Sequence, residues 1–228
     1  RLSTWVFVSP ISVLYVIGNR SRDTVDRILT TGYSGIIHCD YYGVYQSFAK
    51  DSVGVTLQTC LAHLKREYKR CADHFTDQEI SKFGEKMLAL INALFDARKA
   101  YNKEPTLDNL ENLRQIVEDF NTEAANAPDR CRPATFAKRF KGQDHTYTTF
   151  VENPGVEPAN NAAELSIRPV VMAINVTQGT RGEKGRLATE RYWSIRATCE
   201  KQGKTFSQFF KECYLAWLKN EPAPSILK

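Results

Sequence analysis

The 228-residue sequence has no run of eighteen apolar residues, and so no segment able to cross a bilayer as a helix. It also lacks the charged start, short apolar core and small-residue cleavage site of a secretory signal. Cysteine is sparse. Six residues, at 39, 60, 71, 131, 199 and 213, show no paired spacing, which points to a reducing, cytoplasmic compartment rather than a disulfide framework. The GxxxxGK[ST] loop of nucleotide hydrolases, the GxSxG nucleophile elbow and the HExxH metal helix are all missing. There is no internal repeat and no low-complexity tract. The sequence opens on Arg1 rather than Met, which raises the expectation that it is a piece of a longer chain.

What is present is an ordinary globular composition, 42% hydrophobic and 25% charged. The charge is uneven. Residues 165–228 carry eleven Lys and Arg against five Asp and Glu, whereas residues 1–164 sum to −1. A basic C-terminal third suggests a surface that faces a polyanion. The alternative is that these cations only solvate two amphipathic helices.

Periodicity gives strands first and helices after. Thr4–Val8 and Ser12–Ile17 alternate about a Ser9-Pro10 turn and read as a hairpin. Asp23–Thr30 reads as a short amphipathic helix. Gly35–Asp40 is a short apolar run ending in an acid, the form of a buried strand whose last residue reaches the sheet edge. Val53–Thr59 is a weaker strand. Helices are predicted at 61–74, 77–102 and 106–126, with 133–152 partly helical. A further helix follows Asn160-Asn161. Gly179–Gly185 reads as a basic loop, with helices near 187–202 and 205–219 and a tail from Glu221 that lacks order.

Several residues are suited to chemistry. Asp40, at a strand end, stands where α/β proteins place ligands, although an Asp there also caps turns. Glu164 follows Asn161 at capping-box spacing, and a carboxylate on a first helical turn also suits a metal. Cys60-x-x-His63 has the spacing of half a zinc site. Cys71-x-x-His74 repeats it, but on the same predicted helix the pairs lie about 16 Å apart along the axis, too far to share an ion. His63 is left with a polar role near the sheet edge. Arg181, Lys184 and Arg186 sit in the basic loop and suit phosphate contacts.

Taken together, two segments resemble a known family. Val151 to Pro169, with its Asn160-Asn161-Ala-Ala-Glu164 and Ile167-Arg168-Pro169 blocks, is similar to the signature around the catalytic Glu of the IS66-family transposases. The Gln178–Arg186 loop and the Ser194–Gly203 helix resemble that family's C-terminal part. Gly35–Tyr45 resembles its Asp-bearing strand with an aromatic turn, and Cys60–His63 its C-x-A-H segment. The resemblance implies an RNase H-like α/β core with a large helical insertion and C-terminal helices, divided as 1–60 core strands, 61–158 insertion, 159–220 C-terminal part bearing the Glu, and 221–228 tail. It implies DDE chemistry, in which three carboxylates hold two divalent ions, Mg²⁺ or Mn²⁺, for DNA cleavage and 3′-OH strand transfer. Asp40 and Glu164 would be the second and third acids, both catalytic and metal-binding. Arg168, one turn after Glu164, and Arg181, Lys184 and Arg186 would meet DNA, while His63 and Asn161 would support the active site. The partners implied are transposon ends and target DNA, with a homodimer by analogy and no membrane. The setting implied is a bacterial cytoplasm, at the nucleoid when DNA is bound.

The departures from the family pattern matter. The family's first Asp lies on the strand before the Trp5 strand, and the only acids before Asp40 are Asp23 and Asp26 on a predicted helix. The core's first strand is thus absent, and this piece alone is not expected to transpose DNA. Leu165 replaces an Arg-like residue after the Glu. The alternative function is a catalytically inactive, transposase-derived DNA-binding or interaction module.

Overall fold

The computed structural model describes residues 2–30, 32–129, 135, 139–140 and 145–227. The elements are strands β1 (Ser3–Val8) and β2 (Val13–Gly18), α1 (Arg22–Leu29), β3 (Gly35–Cys39), α2 (Gly43–Asp51), β4 (Val55–Thr59), α3 (Leu61–His74), α4 (Gln78–Lys103), α5 (Leu107–Ala125), α6 (Asn161–Thr177), α7 (Glu183–Lys201) and α8 (Phe206–Leu218). The chain is therefore mixed α/β with small sheets. No helix among the described residues is long and apolar enough to cross a membrane. It divides into two compact units, Arg1–Thr24 with Asn161–Lys228, and Val25–Asn160. This division differs from the sequence boundaries at 60 and 158, because the hairpin packs with the C-terminal helices and the second strand pair with the helical insertion.

In the first unit β1 and β2 pair antiparallel, with Ser3 opposite Gly18 and Val8 opposite Val13. Ser9 builds the turn, its hydroxyl accepting from the Ser12 N–H at 3.0 Å while Pro10 presets the bend. Trp5 locks the far end by donating its ring N–H to the Asn19 carbonyl at 3.0 Å. The edge of β2 facing away from β1 is occupied by side chains. The N–H groups of Val13, Tyr15 and Ile17 donate to Thr198 Oγ1, Ser194 Oγ and Glu190 Oε1 of α7, at 3.1, 2.9 and 2.7 Å. Two residues of strand advance about 6.8 Å and four of helix about 6 Å, so the two repeats stay in step and close an edge that would otherwise invite another strand. Val13, Tyr15 and Val170 form the core here, with Val6, Val8, Ile174 and Trp193 packed around them.

In the second unit β3 and β4 pair in parallel, Gly35 opposite Val55 and Cys39 opposite Thr59, with α2 as the crossover. The aromatic segment after Asp40 thus opens a helix at Gly43 where the sequence pattern showed only a turn. The outer side of β4 is sealed by the chain at 146–150. Thr59 N–H donates to the Thr146 carbonyl at 2.6 Å, and the buried Gln58 amide gives its NH₂ to the Tyr147 carbonyl while accepting from Phe150 N–H at 2.8 Å. The main core lies in the helices. Leu61, Leu64, Tyr68 and Cys71 of α3 recur at helical spacing and meet Ile80, Phe83, Met87, Ile91 and Leu94 of α4, with Leu113 and Phe120 of α5 beyond. Of the stretch 133–152 read as partly helical, nine residues before 145 lie outside the described ones; its described end holds a 3₁₀ turn, Thr149–Val151.

Candidate active site

Asp40 follows β3 directly, after the buried Cys39, and is half-buried. Helix α2 begins three residues on, with Tyr42 in its N-cap position and no side-chain cap. Among the described residues no hydrogen bond or ion pair engages the Asp40 carboxylate. The turn-capping role is therefore not the one it plays. Around it the strand end is dry: burial holds His38 down to about 4, keeping it neutral, pushes the Cys39 thiol up to about 12 and raises the Tyr45 hydroxyl. Beside it Tyr41 stacks on Tyr147 with centroids 6.0 Å apart, and the Arg139 guanidinium lies 4.2 Å from the Tyr41 centroid while donating to the Tyr147 hydroxyl at 3.1 Å. Sequence reading missed Arg139, since nothing local signals a cation that packs on Tyr41 about a hundred residues away.

The next strand end carries Cys60. Its N–H donates to the Cys39 carbonyl at 2.8 Å, so Cys60 continues the β3–β4 ladder and then takes the N-cap position of α3, without a side-chain cap. The Asn160 N–H donates to its sulfur at 3.4 Å, and His63 lies one turn into the helix. Burial pushes the thiol up, but hydrogen bonds from the His63 side chain and from the Asn160 and His63 N–H groups outweigh it, and the net shift is downward. His63 is thus engaged with Cys60 at the sheet edge that bears Asp40. Cys71 is fully buried in the helical core and His74 exposed at the end of α3, in keeping with the separation of the two C-x-x-H pairs.

Glu164, Arg168 and the basic segment belong to the other unit. Helix α6 starts at Asn161, which is exposed, so Glu164 is its fourth residue rather than the third that a capping box needs. Glu164 is half-buried; Arg168, one turn on, is exposed and makes no ion pair among the described residues. After a left-handed turn at Gln178 and Gly179, φ 58° and 79°, α7 begins at Glu183, earlier than the basic loop was expected to end. Arg181 and Lys184 are exposed and unpaired among the described residues. Arg186 is spent within the unit, donating to Glu190 at 2.7 Å and to the Ile17 carbonyl at 3.3 Å. The Glu190, Ser194 and Thr198 edge seal was also missed, though its four-residue spacing on α7 is visible in the sequence.

Against known proteins, a family model described as the IS66 family of transposases matches residues 3–186. No curated protein matches, and no solved structure does.

Proposed function

Since this chain belongs to the IS66 family of transposases, we propose that it is catalytic-domain sequence of a DDE DNA transposase, in which Asp40 and Glu164 supply metal-binding carboxylates. The observation that carries the reading is the Asp40 carboxylate, presented at a strand's C-terminal end and engaged by no hydrogen bond or ion pair among the described residues. Hard divalent ions take oxygen ligands, and a free carboxylate at such an edge fits Mg²⁺ or Mn²⁺. An antiparallel hairpin and a parallel βαβ pair are the pieces from which an RNase H-like core is built, with α3–α5 as the helical insertion. When bound, the ions would supply Lewis-acid activation of the attacking water or 3′-OH and stabilisation of the leaving oxygen.

The chain's own residues then divide the remaining work. Glu164 sits on the opening turn of α6, half-buried. Arg168 extends from the same helix face, and with Arg181 and Lys184 it offers exposed cations to DNA phosphates; Arg186 orders the turn that presents them. His63 supports the edge through Cys60, and a homodimer would bring two DNA ends together.

Mn²⁺ titration followed by electron paramagnetic resonance tests the reading. The 228-residue chain should bind the ion, and Asp40→Asn and Glu164→Gln should each weaken binding at least about tenfold, the loss of one charged ligand from a hard-cation site. Unchanged affinity in both variants would remove these carboxylates from the proposed role.

A further inference from the structure

The unit built from the hairpin and C-terminal helices contains an open cavity of about 410 Å³, at the small end of the roughly 300–1,000 Å³ typical of ligand pockets. Its floor is Val13 and Tyr15 of β2, one wall is Leu165 of α6, the other is Trp193 of α7, and Arg196 and Lys201 stand at its mouth. We infer that this cavity receives one unpaired nucleotide of a DNA strand, its base against Trp193 and its phosphate on Arg196 and Lys201. The inference rests on the DNA-acting reading above and names a contact of that activity.

Four observations carry it. The floor is apolar and settled: Tyr15 already donates its hydroxyl to the Ser166 carbonyl at 2.6 Å, so it asks nothing of an incoming group. Trp193 is half-buried against Val13, Tyr15 and Val170, which fixes its ring, and a fixed aromatic face accepts any base because every base has a π-face. The Arg196 guanidinium lies 5.3 Å from the Trp193 centroid, where it can contact a stacked base and its phosphate at once. Pro169, inside α6 and lining the cavity, has no N–H to give the Leu165 carbonyl, which removes one backbone hydrogen bond from that wall. One group opposes. Glu200 also lines the cavity and accepts from Arg196 at 3.3 Å, but both side chains are largely exposed, at 65% and 44%, and such a pair is worth little. The Tyr192 side chain also hydrogen-bonds the guanidinium and is itself exposed, at 41%, so an incoming phosphate replaces two exposed contacts.

The test uses the 228-residue chain and short duplexes that end either blunt or in one unpaired 2-aminopurine nucleotide. The unpaired end should bind more tightly than the blunt one, with its fluorescence quenched by stacking. Trp193→Ala should abolish the quenching and weaken binding on the order of tenfold, Trp193→Phe should restore much of both, and the exposed Arg196→Ala should weaken binding without altering the fold. Glu200→Gln should tighten it roughly two- to threefold, a gain that misfolding cannot produce. Blunt and unpaired ends bound alike, with all four variants unchanged, would overturn the cavity's role while leaving DNA binding intact. Free deoxyadenosine monophosphate competing as well as the oligonucleotide would show a nucleotide pocket rather than a strand contact and overturn the assignment to DNA. Failure to bind either duplex would instead remove the DNA-acting reading on which the inference stands.

Discussion

At the scale of single residues, the chain separates side chains left unengaged from side chains spent on structure. Asp40 and Arg186 were both candidates for chemistry in the sequence, yet the Asp40 carboxylate is unengaged among the described residues and the Arg186 side chain is tied to Glu190 and Ile17. Side-chain commitment of this kind depends on partners 4 and 169 residues away, and only the nearer one leaves a local trace. Arg98 shows the structural extreme. It is 3% exposed on α4, donates to the Val156 carbonyl at 3.2 Å and lies over Phe150, while its Nε and Nη1 find no partner among the described residues. Burying that cation is costly, so its stem and its single anchor must carry its value. Arg98→Ala is expected to lower unfolding free energy by about 2–4 kcal/mol through the void it leaves, whereas Arg98→Met, which fills the space without charge, should stay within about 1 kcal/mol. Urea denaturation of both variants checks this; equal losses would show that the charge rather than the volume is what matters.

At the scale of elements, most helices announce themselves. The helices α3, α4 and α5 fall within a residue or so of their sequence-read bounds, because each has an apolar stripe at 3.6-residue spacing and an end signal such as the Asp77 cap or the Thr106 cap. Helix α2 was missed because its start lacks a capping side chain and it is only nine residues long. The seal of β2 by α7 is an element-level device with its own test. Thr198 both accepts from the Val13 N–H and donates to the Val13 carbonyl, each at 3.1 Å. Thr198→Val keeps the shape and leaves both buried groups unpaired, so a loss of about 1–3 kcal/mol is expected. Hydrogen exchange should report it directly, as faster exchange at the Val13 amide; unaltered protection there would mean the strand edge is held by packing alone.

At the scale of the whole molecule, the basic C-terminal third makes a prediction that no single contact makes. If Arg181 and Lys184 each neutralise a DNA phosphate, the slope of log affinity against log salt should flatten by about two on replacing both with Ala, since each contact contributes about 0.9 for duplex DNA. An affinity measured across a salt series checks this, and a slope already near zero would assign the charge to solvation of helices. What the sequence by itself determined was the α/β class, the hairpin, the Asp-tipped strand, the helical stretch after it and the family, because periodicity and contiguous motifs are local properties of a chain. Tertiary structure alone decided which strand pairs form, that the hairpin packs with helices some 170 residues later, that Arg139 joins the aromatics beside Asp40, and that α7 rather than another strand closes the edge of β2. Those outcomes turn on satisfying buried N–H and C=O groups, and a polar group taken out of water accepts whichever partner the fold brings within about 3 Å, however far away it lies in the chain.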